Sequence, residues 1–220
     1  MMSTEQRLLN IFNILLESFG KRNWWPGETP LEIIVGAVLT QNTSWKNVEK
    51  AIQNMKKECL IDIEALYYIT TERLSEIIRP SGFFNIKARR LKNIVNVIYN
   101  DYNASIEYMM NNDVKKLRRS LLNINGIGPE TADSILLYAL NKPVFVVDAY
   151  TKRFLKNHKL YNADGDYHAI QRYFMENLPL DIYLFNEFHA LIVYLGQSYC
   201  RKTPVCKGCP LELDISADTL

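Results

Sequence analysis

The chain has 220 residues, of which 48% are hydrophobic and 23% charged, and its formal net charge at pH 7 is +2. These proportions are ordinary for a globular protein with a large core, and a nucleic-acid partner would have to be met by a local basic face. Apolar runs such as residues 191–195 are too short to cross a bilayer, and residues 1–10 lack the pattern of a secretion signal. We therefore expect an intracellular, cytoplasmic protein.

Helical periodicity dominates the chain, and no alternating pattern is long enough to predict a sheet. Ser3 is a predicted helix N-cap, Pro30 a predicted first helical residue, and Gly20 a predicted helix end. Helices are predicted, in chain order, over 4–19, 30–42, 44–58, 63–69, 71–78, 85–102, 113–124, 129–140, 149–158, 167–178 and 184–200. The predicted fold class is all-α, with the apolar 30–42 segment as its central buried helix.

A short glycine hairpin joins two of the predicted helices. Gly126 and Gly128 permit a tight turn, and Pro129 suits the first position of the next helix, so backbone amides are left uncovered in the way that phosphates favour. Alone, this pattern is more typical of a plain helix–helix turn, because glycine ends many helices. Three basic clusters surround it in the sequence and favour a DNA-backbone footprint: Lys87, Arg89, Arg90 and Lys92; Lys115, Lys116, Arg118 and Arg119; Lys152 and Arg153.

Four segments in order resemble the endonuclease III superfamily of DNA glycosylases, which share a helix-hairpin-helix, a Gly/Pro-rich loop and an aspartate. They are VGAVLTQNTSW (35–45), RPSGFFNIKARRL (79–91), LLNINGIGPETADSILLYAL with VFVVDAY (121–150), and YCRKTPVCKGCPLELD (199–214). The resemblance implies a central barrel lobe over 22–135, a second lobe from 1–21 and 136–220, and an active cleft between the lobes. The implied partner is double-stranded DNA containing a damaged base, met at the nucleoid. The chain is long enough to act as a monomer, which is the expected state.

The resemblance also assigns roles to individual residues. Asp148 is the expected catalytic residue, because a carboxylate can stabilise the positive charge that develops on the sugar of a flipped nucleotide. An aspartate before a helix is also a common N-cap, and the sequence permits that role as well. The candidate DNA-binding residues are Gln41, Asn42, Lys87, Gly126, Ile127, Gly128, Glu130, Thr131 and Lys152, with Gln41 as the residue inserted into DNA.

Glu130 departs from the bifunctional members of the superfamily, which carry a lysine at this point of the hairpin helix. A carboxylate cannot form the Schiff base that strand cleavage requires, although an acidic residue in a first helical turn also has an ordinary stabilising role. We therefore predict a monofunctional glycosylase of base excision repair, without efficient AP lyase activity.

The three tryptophans point to the damaged base. Trp24, Trp25 and Trp45, with Pro26, resemble the 3-methyladenine glycosylase branch, where aromatic residues at these positions line the base pocket. An N-alkylated purine is cationic, and aromatic faces attract it by stacking and cation–π forces. The predicted substrate is an alkylated purine such as 3-methyladenine; core packing of the tryptophans remains an alternative for any one of them. A mismatched or oxidised pyrimidine, and a non-catalytic DNA-binding protein, are the other functions left open.

Three cysteines form a C-x5-C-x2-C pattern near one chain end. Cys200, Cys206 and Cys209 resemble the superfamily's [4Fe–4S] loop, but Ile215 stands where the fourth cysteine is expected. A three-cysteine cluster with another fourth ligand, zinc with one non-cysteine ligand, and no metal all remain open. Cys59 belongs to a distant predicted helix and is expected to pack there.

Overall fold

The computed structural model describes residues 2–161 and 165–216, with residues 215 and 216 described by their backbone only. Within these residues the chain forms helices joined by short loops and contains no β-strand, which confirms the all-α prediction. Contacts divide the chain into two compact units. We call Trp25–Lys142 the central unit, and Met1–Trp24 with Pro143–Leu220 the two-ended unit. None of the described helices is both long and apolar enough to span a membrane.

The central unit is built around one apolar helix. Its elements are α2 Pro30–Leu39, α3 Trp45–Lys57, α4 Ile63–Tyr68, α5 Thr71–Ile77, a 3-10 turn Arg79–Ser81, α6 Phe84–Asp101, α7 Ile106–Met110, α8 Val114–Leu122, α9 Pro129–Ser134 and a π-helical turn Ile135–Ala139. Helix α2 packs against α3, α6, α9 and the π-helical turn, and nearly all of its residues are buried. The sequence prediction of a central buried helix here is confirmed, with Thr29 capping it and Pro30 at its start.

The two-ended unit joins the first helix to the last ones. Its helices are α1 Thr4–Phe19, α10 Ala149–Asn157, α11 Tyr167–Asn177, α12 Ile182–Ser198 and α13 Glu212–Ser216. Helix α12 packs against both α1 and α10. Buried phenylalanines fill the interior, and the rings of Phe145 and Phe174 stack with their centroids 3.9 Å apart. Apolar burial of this kind is the main source of stability for such a unit.

The units divide at positions slightly different from those inferred from the sequence. The sequence placed the boundaries at 21/22 and 135/136, whereas contacts place them after Trp24 and after Lys142. The π-helical turn Ile135–Ala139 continues α9 and packs against α2, so it belongs with the central unit. The sequence also predicted one uninterrupted helix over 129–140 and did not predict α7 or α13.

Candidate active site

Asp148 lies at the junction of a connecting segment and a helix. Residues 143–147 form neither helix nor strand, and Gln171 of α11 donates to the carbonyl of Phe145 at 2.7 Å. Asp148 is then the N-cap of α10, and its Oδ1 accepts from the backbone N–H of Thr151 at 2.7 Å and from its hydroxyl at 3.0 Å. The capping role that the sequence permitted is therefore present, and it fixes the orientation of the carboxylate.

The second carboxylate oxygen of Asp148 faces a histidine. Oδ2 lies 3.7 Å from Nε2 of His189, a buried residue in α12. Helices α10 and α12 approach closely because Gly196 of α12 has no Cβ; a Cβ there would lie 2.3 Å from the ring of Tyr150. Oδ1 of Asp148 therefore caps helix α10, and Oδ2 of Asp148 lies beside the imidazole of His189.

His189 was not anticipated from the sequence, because a single histidine in an apolar helical pattern carries no signal of its own. Burial lowers the pKa of this imidazole, and the nearby Asp148 carboxylate offsets part of that effect. Because its pKa is lowered below the ordinary value, His189 is uncharged at neutral pH, and the Asp148 side chain beside it is 15% exposed.

The glycine hairpin connects α8 to α9 in the central unit. Gly126 adopts a φ of 92°, a conformation that favours glycine, and a Cβ at this position would lie 2.4 Å from the Arg90 side chain. Gly128 is the N-cap of α9 and provides no side-chain cap, while Pro129 begins the helix. Ile127 is buried, and its backbone N–H donates to the carbonyl of Ile124 at 3.0 Å, so this residue closes the turn between the two glycines.

Gln41 is tied to this hairpin. Its Nε2 donates to the carbonyl of Gly126 at 3.2 Å and to the hydroxyl of Thr131 at 2.9 Å, and its Oε1 accepts a hydrogen bond from Arg90. The structure therefore brings together three residues that the sequence assigned to DNA binding. Arg90 joins them, although the sequence placed it only in a general basic cluster. Asn42, the next residue along, is exposed with a φ of 54°.

Two of the three tryptophans form an aromatic group within the central unit. The rings of Trp25 and Trp45 meet edge to face with centroids 5.5 Å apart, and Tyr138 of the π-helical turn lies 5.4 Å from Trp25. Both tryptophans are partly exposed. Trp24 belongs to the two-ended unit, and Pro26 is exposed. The sequence had no signal for Tyr138, which lies in an apolar helical run.

Lys87 was expected to contact DNA, but it is 1% exposed. Its amine donates to the carbonyls of Leu39 and Ser81, at 2.8 and 2.6 Å. Burial, followed by the nearby Arg90, lowers the pKa of Lys87 to about 8. The amine thus bonds the last residue of α2 and the last residue of the 3-10 turn. We correct the assignment of Lys87 from DNA binding to a structural role.

The other basic residues of the three predicted clusters are either hydrogen-bonded within the protein or exposed to solvent. Lys92 donates to backbone carbonyls at the end of α4, and Arg118 makes a two-point ion pair with the buried Asp133 at 2.7 and 2.9 Å. Arg153 donates to carbonyls of α12 and its following turn. Arg89, Lys115, Lys116 and Arg119 are exposed, and Lys152 is partly exposed. The exposed part of the predicted basic face is therefore concentrated on α8, immediately before the hairpin.

Glu130 is exposed in the first turn of α9, and its carbonyl accepts a hydrogen bond from Ser134. Glu130 is the residue at which the sequence resemblance expects an amine in bifunctional members, and its side chain is a carboxylate on the protein surface.

The cysteine loop encloses a small cavity in the two-ended unit. Cys200, Cys206 and Cys209 line a cavity of about 190 Å³ together with Asn157, His158, Tyr199, Pro204 and Val205. Burial raises the pKa of Cys200 and Cys209, and Asn157 donates to Sγ of Cys200 at 3.2 Å. In the described part of the chain, no three His, Cys, Asp or Glu side chains are arranged to hold a single metal ion. Cys59 is exposed in the central unit, contrary to its expected packing role.

The fold and the hairpin are those of an all-α helix-hairpin-helix DNA repair protein, and comparison with known proteins defines the family. Residues 35–180 match the model of the HhH-GPD superfamily base excision DNA repair proteins. The chain belongs to this superfamily and is a DNA glycosylase of base excision repair. The resemblance seen in the sequence is confirmed.

Individual relatives agree with this membership. A Methanocaldococcus jannaschii protein, provisionally assigned as a DNA repair glycosylase, is 47% identical over 94% of this chain and 94% of its own length. The structure of H. pylori 3-methyladenine DNA glycosylase (MagIII) bound to 1,N6-ethenoadenine is 32% identical, with a TM-score of 0.76 over 89% of this chain and 97% of that chain. A trapped endonuclease III–DNA covalent intermediate has a TM-score of 0.80 and 20% identity over the whole of both chains, which shows the shared fold.

Proposed function

We propose that this protein is a monofunctional glycosylase that removes an N-alkylated purine, such as 3-methyladenine, from double-stranded DNA by hydrolysis. The observation that supports the substrate most directly is the aromatic group of Trp25, Trp45 and Tyr138. Stacking on such faces, with a cation–π contribution, favours a positively charged base over a neutral one. The 32% identity with H. pylori 3-methyladenine DNA glycosylase supports the same choice.

In this proposal Asp148 is the catalytic residue. Loss of an alkylated base leaves positive charge on the sugar, and the Asp148 carboxylate stabilises that cation while water attacks. Oδ1 is held by Thr151, so the orientation of Oδ2 is set before substrate arrives. An alkylated purine is already a good leaving group, so a carboxylate and a stacking site supply most of what the reaction needs.

DNA binding is assigned to the hairpin and its neighbours. The hairpin Gly126, Ile127 and Gly128, with Glu130 and Thr131 in the following turn, would contact one phosphodiester region through backbone amides, those of the two glycines first, since the Ile127 N–H is held by Ile124. Gln41 and Asn42 would enter the duplex as the base leaves it, which requires Gln41 to exchange its hairpin hydrogen bonds for DNA. Lys152 remains a proposed backbone contact. We propose that the protein acts as a monomer on nucleoid DNA in the cytoplasm.

The absence of lyase activity is proposed from Glu130. Strand cleavage through a Schiff base needs a nucleophilic amine, and a carboxylate at this position cannot supply one.

The decisive experiment measures base release from three substrates: methylated duplex DNA, duplexes with uracil or mismatched thymine, and duplexes with an oxidised pyrimidine. We expect release of free 3-methyladenine, breakage of strands only after alkali or heat, and no adduct on borohydride treatment. Preferential release of a pyrimidine would replace the proposed substrate class. A borohydride-trapped adduct would overturn the monofunctional assignment, and DNA binding without release of any base would indicate a non-catalytic protein.

A further inference from the structure

The cysteine loop has three soft ligands where an iron–sulfur cluster uses four. The three thiols line one cavity, and an amide of Asn157 donates to Sγ of Cys200, as protein groups do to cluster thiolates. The donor set therefore fits the cluster that the superfamily implies at three positions. Ile215, at the fourth sequence position, lies in α13 and its side chain is outside the described residues.

His158 lines the same cavity from the end of α10. It is 2% exposed, and its Nδ1 lies 2.7 Å from Oδ2 of Asp214. A carboxylate at Nδ1 selects the tautomer with its proton on that nitrogen, which leaves the lone pair of Nε2 for a ligand bond. A histidine held in this way by a carboxylate is the usual arrangement behind a metal-bound imidazole.

The carboxylate is itself fixed from a third element. Arg7 of α1 donates to both oxygens of Asp214, at 3.1 and 3.3 Å, and to the carbonyl of His158 at 3.1 Å. The imidazole is thus oriented by an ion pair between the first and last described helices. A buried histidine that only fills space does not need a carboxylate on its ring nitrogen and an arginine that holds that carboxylate.

We propose that Nε2 of His158 is the fourth ligand of a [4Fe–4S] cluster held by Cys200, Cys206 and Cys209. A cluster is proposed rather than a single ion because three of the four donors that line the cavity are cysteine thiols, the ligands that iron–sulfur clusters use, and an imidazole supplies the fourth. A bound cluster would brace the 199–211 loop and takes no part in base hydrolysis. The inference is independent of the proposed substrate, because its tests read the cluster and not base release.

The test uses full-length protein purified without oxygen. We expect about four irons per chain with matching acid-labile sulfide, and the broad visible absorbance of a thiolate-bound cluster. Pulsed electron paramagnetic resonance of the reduced protein should show one strongly coupled nitrogen, which changes on selective labelling with 15N-histidine. This measurement needs no variant and so does not depend on a variant's ability to fold.

Variants separate ligation from packing. His158→Cys should keep the iron and lose the histidine nitrogen signal, whereas His158→Ala should lose most of the iron or bleach rapidly in air. Cys59→Ser and His168→Ala are the matched controls and should behave as the wild type.

Three results would overturn the proposal. The first is a cluster whose nitrogen signal is absent or persists in His158→Cys. The second is zinc in place of iron. The third is protein without metal that also fails to take up iron and sulfide during anaerobic reconstitution.

Discussion

Oδ2 of Asp148 lies 3.7 Å from Nε2 of the buried His189, and this pairing links a capping carboxylate on α10 to the interior of α12. Burial is the larger influence on His189 and lowers its pKa, so the folded state favours the neutral imidazole. The unfolded chain has the ordinary histidine pKa of about 6.5. Between that value and the lower folded value, the unfolded state binds more protons.

Stability should therefore be complete above about pH 6.5 and should decline as the pH falls toward the folded pKa of His189. Denaturant unfolding of the wild type at a series of pH values measures this slope. His189→Gln should flatten the decline, and His168→Gln, which removes a histidine of the same unit, should flatten it less. Identical pH slopes for the wild type and His189→Gln would contradict this account of the pair.

Asp148→Asn separates the two roles of this side chain. Asparagine is as good an N-cap as aspartate, so we expect the free energy of unfolding to change by less than about 1 kcal/mol. Base release should fall by a factor of about 100 or more, because the carboxylate charge is lost, while DNA affinity stays close to that of the wild type. Quenched time courses measure the rate of base release, and fluorescence anisotropy measures DNA affinity.

Thr151→Val provides the matched control for that prediction. It removes the hydroxyl bond to Oδ1 and leaves the backbone N–H bond and the charge. A cost of about 1 kcal/mol in stability and a much smaller loss of activity are expected. If Asp148→Asn retained full base release, another group would have to stabilise the sugar cation.

The aromatic group of the central unit should discriminate between lesions. Trp25→Ala or Trp45→Ala should remove roughly 1–3 kcal/mol of stacking with the extruded base. The loss should be greater for 3-methyladenine than for uracil, since only the cationic base gains a cation–π interaction. Single-turnover rates on both substrates test this difference, with Trp24→Ala of the other unit as comparison. Equal losses on the two substrates would indicate tryptophans that only support the fold.

Lys87 should affect stability and not the salt dependence of DNA binding. In Lys87→Met the carbonyls of Leu39 and Ser81 lose their donor, which should destabilise the protein by about 2 kcal/mol or more. The slope of log affinity against log salt concentration should stay unchanged, because the amine touches no phosphate. Lys116→Met, on the exposed face of α8, should reduce that slope by about 0.9 if it contacts one phosphate. A smaller slope in Lys87→Met would restore its original assignment.

Local signals predicted most of the helices. The Ser3 capping box, Thr29 with Pro30, and Gly20 mark helix ends through neighbouring residues alone, so each was readable from the sequence. Helix α7 is only five residues long, and too few apolar repeats fall within it to reveal its period. The π-helical turn has the composition of the α-helix that it continues, and its backbone differs only because of packing against α2.

The candidate site was predictable where its chemistry lies in one segment. Asp148, Gln41 and the hairpin belong to recognisable motifs, whereas His189 and Tyr138 acquire their places only through the approach of distant helices. Lys87 shows the opposite case: its charge suggested a surface residue, but the carbonyls at two helical ends make its burial possible. Such non-local compensation cannot be read from a window of sequence.

The construction of one unit from both ends of the chain has a consequence for biosynthesis. On the ribosome, α1 emerges before the central unit, but α11 and α12, the helices it packs against, are made after the whole central unit. At typical rates of synthesis, α1 waits on the order of ten seconds or more with its apolar side uncovered. The central unit is contiguous and can collapse during that interval. The nascent chain therefore offers chaperones the uncovered apolar side of α1 while the central unit is already folded, and slow translation through residues 143–198 would prolong that exposure.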